Sequence, residues 1–301
     1  MPRVSIGLPV YNGAAHLGEA IADLVSQDFA DFELIISDNA STDGTERICR
    51  EWAQRDPRIR YVRQAENLGV KRNFQFVLDQ ARGEYFLWAA HDDRWAKGYL
   101  AAMVRALDAS PHAFLATPRT EATVHRGERT RHVVHPPTAA GSRLAAYRQL
   151  LRERSAVWFY GMYRTAPLRP CFAEYVTRDY PVWGGDVVWL GSLLLRHAVV
   201  GVDNAVFFKQ EFESRFRPKS EADQWHTWSL LFRWLTRVSW SCAPSVAVAV
   251  PAVAAAWKFC FRGYLSRGNP IGTLVRCVKV SALAVWFSAT SLLFGRPKPA
   301  R

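Results

Sequence analysis

Two adjacent carboxylates, Asp92 and Asp93, follow directly on the apolar run Tyr85-Phe86-Leu87-Trp88-Ala89-Ala90 and on His91. Ionised carboxylates are costly to bury alone, so a pair at the end of a core strand points to a cleft mouth, a metal ion or a well-satisfied turn. Mg²⁺ and Mn²⁺ take oxygen ligands from carboxylate, phosphate and water. A cation held here could grip a diphosphate on its other side and stabilise the charge that builds as the diphosphate departs. An Asx turn or a helix cap ahead of Lys97 is the structural alternative. Asp38 closes a second apolar run, Glu33-Leu34-Ile35-Ile36-Ser37, where its carboxylate can accept hydrogen bonds from a base or ribose. Asp43, beside Gly44, can do the same or cap the next helix. Lys71, Arg72 and Asn73 open a helical pattern whose free N–H groups and positive charge suit phosphate, or simply face water. Asp186 lies between Gly184-Gly185 and Val187-Val188-Trp189-Leu190. The glycines allow close approach and the apolar helix anchors a base near a hydroxyl, with helix capping as the alternative.

The elements that must carry these groups alternate. Strands are expected at Val4 to Val10, Glu33 to Asp38, Ile59 to Val62, Tyr85 to Ala90 and Ala113 to Thr117. Between them lie helical patterns through Leu17, Ile21 and Leu24, through Val70, Phe74, Val77, Leu78 and Ala81, and over about 97–109. Such alternation specifies a mostly parallel sheet covered on both faces, with functional groups at the carboxyl ends of its strands. Tyr11, Asp38 and Asp92 each follow a strand, so connectivity puts them on one edge. From Arg119 to Pro137 periodicity fades and charge alternates, and an excursion or hairpin over the sheet is expected. Further on, helices are expected at Leu144 to Leu151 and Val187 to Leu195, and strands at Val157 to Tyr163 and Val199 to Phe208.

The chain has 301 residues, 49% of them hydrophobic, which suits one substantial α/β core plus an appendage. Its net charge of +12 is concentrated late: beyond Asp223 there is no acidic residue, while Arg233, Arg237, Lys258, Arg262, Arg267, Arg276, Lys279, Arg296, Lys298 and Arg301 are basic. We therefore read 1–220 as the catalytic domain and 221–301 as a basic, apolar helical extension. After a helical pattern over Trp225 to Leu235, two uncharged runs, Val238 to Trp257 and Val280 to Gly295, suit interfacial or re-entrant helices on an anionic membrane surface better than clean spans. An all-helical cap is the alternative. Met1-Pro2-Arg3 leads straight into a strand pattern with no signal-peptide core. The five cysteines are scattered, as in a reducing compartment. The expected location is cytoplasmic, peripheral or monotopic at the inner face of the cell membrane. No dinucleotide fingerprint, Walker lysine, nucleophile elbow or nucleic-acid recognition motif is present.

Four motifs in order resemble the inverting glycosyltransferases of family 2, with the GT-A fold. They are Val4-Ser5-Ile6-Gly7-Leu8-Pro9-Val10-Tyr11-Asn12, then Glu33-Leu34-Ile35-Ile36-Ser37-Asp38-Asn39-Ala40-Ser41-Thr42-Asp43-Gly44-Thr45, then Asn67-Leu68-Gly69 through Asn73, and Gly83 with the Asp92-Asp93 strand end. The resemblance is clear over about the first 120 residues. It implies an α/β, Rossmann-like, mostly parallel sheet flanked by helices, and a nucleotide-sugar pocket that includes Pro9, Tyr11, Asp38, Asp43, Arg72 and Asp92. It implies Mn²⁺ or Mg²⁺ held by Asp93, with His91 where the family's first Asp often stands. Asp186 looks like the base, with Gly185 in place of an acidic neighbour, and Arg215 and Arg217 look like a late basic loop. The implied activity is sugar transfer from a nucleoside-diphosphate sugar to a saccharide or lipid-linked saccharide, in cell-envelope or polysaccharide synthesis. A metal-dependent nucleotidyltransferase and a non-catalytic sugar- or lipid-binding module are the rival readings.

Overall fold

The computed structural model describes residues 1–126, 128–137, 143–153, 156–180, 184–211 and 221–265. In chain order the first elements are β1 (Val4–Val10), α1 (Leu17–Val25), β2 (Phe32–Asp38), α2 (Thr45–Arg55), β3 (Ile59–Arg63), α3 (Val70–Asp79) and β4 (Tyr85–Trp88). Next come β5 (Arg94–Trp95), α4 (Tyr99–Ala109), β6 (Ala113–Arg126), β7 (Glu128–Val134), α5 (Arg143–Glu153), β8 (Met162–Arg164) and α6 (Thr165–Thr177). The last are α7 (Gly185–Arg196), β9 (Ala198–Glu211), α8 (Glu221–Cys242) and α9 (Val246–Leu265).

Every residue of β1, β2 and β4 is buried, as strands covered on both faces require. β1 runs parallel to β2, Val4 opposite Phe32 through Val10 opposite Asp38, and parallel to β4 on its other side. β3 extends the parallel part beyond β2. Past β4 the direction reverses, with β8 antiparallel to both β4 and β6. Among the described residues the order is β3-β2-β1-β4-β8-β6-β9-β5, with β7 paired to β6. This is the mixed α/β architecture of a GT-A core.

Alternate residues of β1 face opposite ways. Ile6, Leu8 and Val10 join one apolar cluster with Leu17, Ala20, Ile21 and Leu24 of α1 and Tyr99, Leu100 and Met103 of α4. On the other face Gly7 leaves room for α3, since a Cβ there would come within 2.7 Å of Val77 and Phe86. Polar pins hold α3 to the sheet. The Ser37 hydroxyl donates to Asn73 Oδ1 at 2.6 Å and Asn73 Nδ2 donates to the Ser37 carbonyl at 3.1 Å, both buried. Asn73→Ala should cost about 2–3 kcal/mol, because it strands buried partners on β2. Urea unfolding would show it, and a loss within experimental error would mean that water replaces the amide.

Two stretches differ from expectation. Val157–Tyr160 is a 3₁₀ turn, and only Met162–Arg164 after it is a strand. The turn lets Phe159 stack on Trp88 at a centroid distance of 4.7 Å. Gly161 then passes so close to Ala116 that a Cβ would lie 2.4 Å from its carbonyl oxygen. The expected helix over Trp225 to Leu235 is the longer α8, and the uncharged run from Val238 to Trp257 is split between α8 and α9 by a break containing Pro244. Pro251 inside α9 removes a backbone donor. Among the described residues no helix is long and apolar enough to cross a membrane. The second run, Val280 to Gly295, and the expected boundary near 220 lie outside the described residues.

The chain forms two compact units. One holds the sheet with α1 to α4 and α6. The other is helical and gathers α5, α7, α8 and α9, so it also draws on residues well before 220. Within it α8 packs on α9 and α7, α5 packs on α7 and α9, and the Tyr147 hydroxyl meets Ser239 Oγ at 2.7 Å in a buried pair.

Candidate active site

At the carboxyl edge of the sheet unit the loops after β1, β2 and β4 are tied together. Asn39 N–H donates to the Val10 carbonyl, Asn12 N–H to Ser41 Oγ, and Thr42 N–H to Asn12 Oδ1, at 2.8–2.9 Å. Gly13 abuts His91, whose ring a Cβ at Gly13 would approach to 2.7 Å. The parallel register of β1 with β2 and β4 thus gathers Pro9, Tyr11, Asp38, Asp43, His91 and Asp92 at one edge. Pro9 is buried in β1 beyond the last residue that pairs with β4, so its missing N–H breaks no ladder there. Tyr11 is 39% exposed at the strand's end.

Asp38 is fully buried and accepts three hydrogen bonds. Oδ2 accepts from Arg63 Nη1 at 2.9 Å and from the Tyr61 hydroxyl at 3.0 Å, and Oδ1 accepts from Ser41 N–H at 2.8 Å. The carboxylate expected at a base or ribose therefore locks the β2 loop onto β3. Neighbouring Asn39 does the same toward α3, accepting from Leu68 N–H and donating to Asn67 Oδ1, both at 2.8 Å. Directly after them Ala40 has φ +59°, a left-handed conformation that costs an L-residue roughly 1–2 kcal/mol. Ala40→Gly should raise stability by about 0.5–1 kcal/mol once glycine's extra chain entropy is set against the relief. An unchanged or lower denaturation midpoint would show that the loop carries no such strain.

Asp43 is exposed and accepts from Ala14 N–H at 3.1 Å, from Thr45 N–H at 3.0 Å and from the Thr45 hydroxyl. Desolvation pushes its carboxyl up, but these donors outweigh it and hold the group below the usual range. It joins the β1 loop to the start of α2. Arg72 is exposed in the first turn of α3 and has no side-chain partner among the described residues. Lys71 beside it lies over the Tyr175 ring at 4.8 Å and donates to the Arg178 carbonyl at 3.4 Å.

The acidic corner is built differently from expectation. β5 pairs antiparallel with β9, Arg94 opposite Phe208, so one further step sets Asp93 across from Lys209. Lys209 Nζ lies 3.0 Å from Oδ1 and 2.9 Å from Oδ2 of Asp93, and Gln210 N–H donates to Oδ1 at 3.0 Å. Asp93 has no exposed surface, and the Lys209 side chain is 16% exposed. Burial pushes the Asp93 carboxyl up to about 6, against the pull of the lysine charge. Desolvation alone would lower Lys209, but the Asp93 and Asp92 carboxylates and Tyr160 hold it above its ordinary range. At neutral pH a carboxylate therefore faces an ammonium.

That geometry bears on a metal. The ammonium sits astride both oxygens of Asp93, where a bidentate cation would sit, and a dication there would have to displace a buried like charge. Asp93 as placed does not fit the role of metal ligand. Asp92, half-buried beside it, is the carboxylate left without a hydrogen-bond partner among the described residues. Burial pulls the His91 imidazole below its ordinary range, against the nearby Asp92 charge, so it is neutral at neutral pH. Among the described residues no group of three or more His, Cys, Asp or Glu side chains is arranged to hold a metal ion. Lys209 is the site residue that the sequence reading missed, and a lone lysine after Phe207-Phe208 in an apolar strand was its only local sign.

Asp186 belongs to the helical unit, in the first turn of α7, after Gly184 with φ +81°. Leu231 covers Gly184 closely, 2.9 Å from where a Cβ would stand. Asp186 Oδ1 accepts from Val187 N–H at 2.9 Å. Its side chain reaches solvent, yet the surrounding protein is dense enough that desolvation raises its carboxyl above the usual range, with that N–H pulling the other way. Arg215 and Arg217 lie outside the described residues.

The family model for glycosyl transferase family 2 matches residues 5–169, more than half of the chain. A GalNAc(5)-diNAcBac-PP-undecaprenol beta-1,3-glucosyltransferase of Campylobacter jejuni is 34% identical over 116 residues, 38% of this chain and 38% of that protein. The abequosyltransferase RfbV of Salmonella typhimurium is 36% identical over 115 residues, 37% of this chain and 34% of that protein. The chain spans little more than a third of the length of these relatives. Among solved structures, S. aureus TarS 1–349 in complex with UDP-GlcNAc superposes with a TM-score of 0.69 at 17% identity, over 93% of this chain and 79% of that one. The mannosyltransferase PcManGT from Pyrobaculum calidifontis, in complex with GDP-Man and Mn²⁺, gives a TM-score of 0.54 at 19% identity, over 97% and 81%.

Proposed function

The chain belongs to glycosyl transferase family 2, and on that premise we propose that it moves a sugar, with inversion, from a nucleoside-diphosphate sugar to a hydroxyl of a saccharide or lipid-linked saccharide. The product is a cell-envelope or other polysaccharide. The observation that carries this reading is the convergence of the β1, β2 and post-β4 loops on one sheet edge, all within the family match. The relatives add support: two are named for sugar transfer, one of them for an undecaprenol-linked acceptor, and both structural neighbours hold nucleotide sugars.

Tyr11, Arg72 and Asp92 are the groups with free surface to meet the donor, while Pro9, Asp38 and Asp43 shape the loops that carry them. In the transfer step the acceptor oxygen forms a bond to the anomeric carbon as the bond from that carbon to the diphosphate oxygen breaks. The electron pair leaves with the nucleoside diphosphate and the acceptor proton passes to Asp186. Attack and departure on opposite faces invert the anomeric centre. No step is assigned to a metal ion, since Asp93 is engaged by Lys209. The basic residues Arg233, Arg237 and Lys258 of α8 and α9 support a place at an anionic membrane surface, on the cytoplasmic face, where a lipid-linked acceptor would be met.

The test is a screen of nucleotide sugars with membrane extract, followed by NMR of the product's anomeric configuration. Release of a nucleoside diphosphate with an inverted glycoside is expected. Release of pyrophosphate from a nucleoside triphosphate would make the protein a nucleotidyltransferase instead.

A further inference from the structure

Lys209 is unused by the transfer step, yet it is no ordinary surface lysine. Its ammonium is wedged between both Asp93 oxygens and the Tyr160 ring, whose centroid is 4.6 Å away. A lysine ammonium has three N–H donors. Asp93 uses two, and the third has no hydrogen-bond acceptor among the described residues. Lys209 also changes the charge of the corner. Asp92 and Asp93 alone would present two negative charges, enough to recruit a dication. With Lys209 the pair cancels and only the charge of Asp92 remains. A compact ammonium with an unspent donor is a good partner for phosphate oxygen, and a lone carboxylate beside it is a good acceptor for sugar or ribose hydroxyls.

We propose that Lys209 stands in the cation's place in this site: held on Asp93, it gives its remaining N–H to the donor's diphosphate, which binds without a divalent ion. This rests on the glycosyl-transfer reading, so the experiment must separate the two. The probes are UDP, GDP, CDP and dTDP, titrated calorimetrically into the full chain in EDTA and again in excess Mn²⁺. At least one should bind, with an affinity that changes less than about threefold between the two conditions, whereas tightening of about tenfold or more in Mn²⁺ overturns the inference while leaving the donor reading intact. If none binds in either condition, the donor reading itself fails and the inference falls with it.

Lys209→Met supplies the second measurement. It frees Asp93 to join Asp92 as a dication site, so binding in EDTA should weaken by about tenfold or more and return in Mn²⁺. A merely structural lysine would weaken binding equally in both conditions, and that result overturns the proposal. The comparison of EDTA with Mn²⁺ on the unaltered protein stands whether or not this variant folds.

Discussion

Replacing Asp93 by asparagine should lower the unfolding free energy by about 3–5 kcal/mol, because it leaves the largely buried Lys209 ammonium without the charge that compensates it. Asparagine keeps the shape and can still accept from Gln210 N–H. Its amide, however, turns either a neutral oxygen or two N–H donors toward a cation that is only 16% exposed and so is poorly compensated by water. The lysine must then lose its proton or pull the β9 end away from β5, and either response is costly. Most of the loss should return in Asp93→Asn combined with Lys209→Gln, since two neutral amides can pair where two charges stood. The coupling energy of that cycle should reach about 2 kcal/mol or more. Urea unfolding with unchanged slope measures it. A single-variant loss under about 1 kcal/mol would mean that water screens the pair as it does a surface bridge.

The pair also shows where sequence reading stops. The alternation from β1 to α4 is legible because each element carries its own period: Leu17, Ile21 and Leu24 mark one helix stripe, and uninterrupted runs such as Leu34-Ile35-Ile36 mark strands buried on both faces. What a carboxylate does at a strand end depends on neighbours that are distant in sequence. Nothing in the sequence around Asp38 shows its ties to Tyr61 and Arg63 on the adjoining strand. Lys209 lies 116 residues from Asp93, and only the β5–β9 register brings them together. The expected strand from Val157 to Tyr163 fails for a related reason. Its β-branched and aromatic residues suit a strand, but Trp88, Ala116 and Phe159 must share the space at that crossing, and the chain turns to fit them. Asp43 is locally readable as a helix-end acceptor through Thr45, two residues away, whereas its tie to Ala14 depends on the pairing of β1 with β2.

Asp186→Asn should reduce transfer by about 10²–10⁴-fold, the range expected when a general base is removed, while leaving nucleoside diphosphate affinity unchanged. The stability signature should run the other way. Desolvation raises the Asp186 carboxyl above its ordinary range, so folding disfavours its charged form. The sign follows from linkage: with the folded pKa above the unfolded one, the contribution is fully present below the unfolded value and is lost as pH rises through the folded value. The side chain reaches solvent, so at neutral pH the charged carboxylate costs the fold little. Asparagine, which cannot ionise, should match or exceed the native stability there and flatten its decline with pH. Only the deprotonated form can take a proton, so the transfer rate should fall as pH drops through this raised value, placing the acid limb above the ordinary carboxylate range. The residual activity of Asp186→Asn should lack that limb. Full activity in the variant, or an acid limb that survives the substitution, would remove Asp186 from the reaction and leave it as a cap on α7.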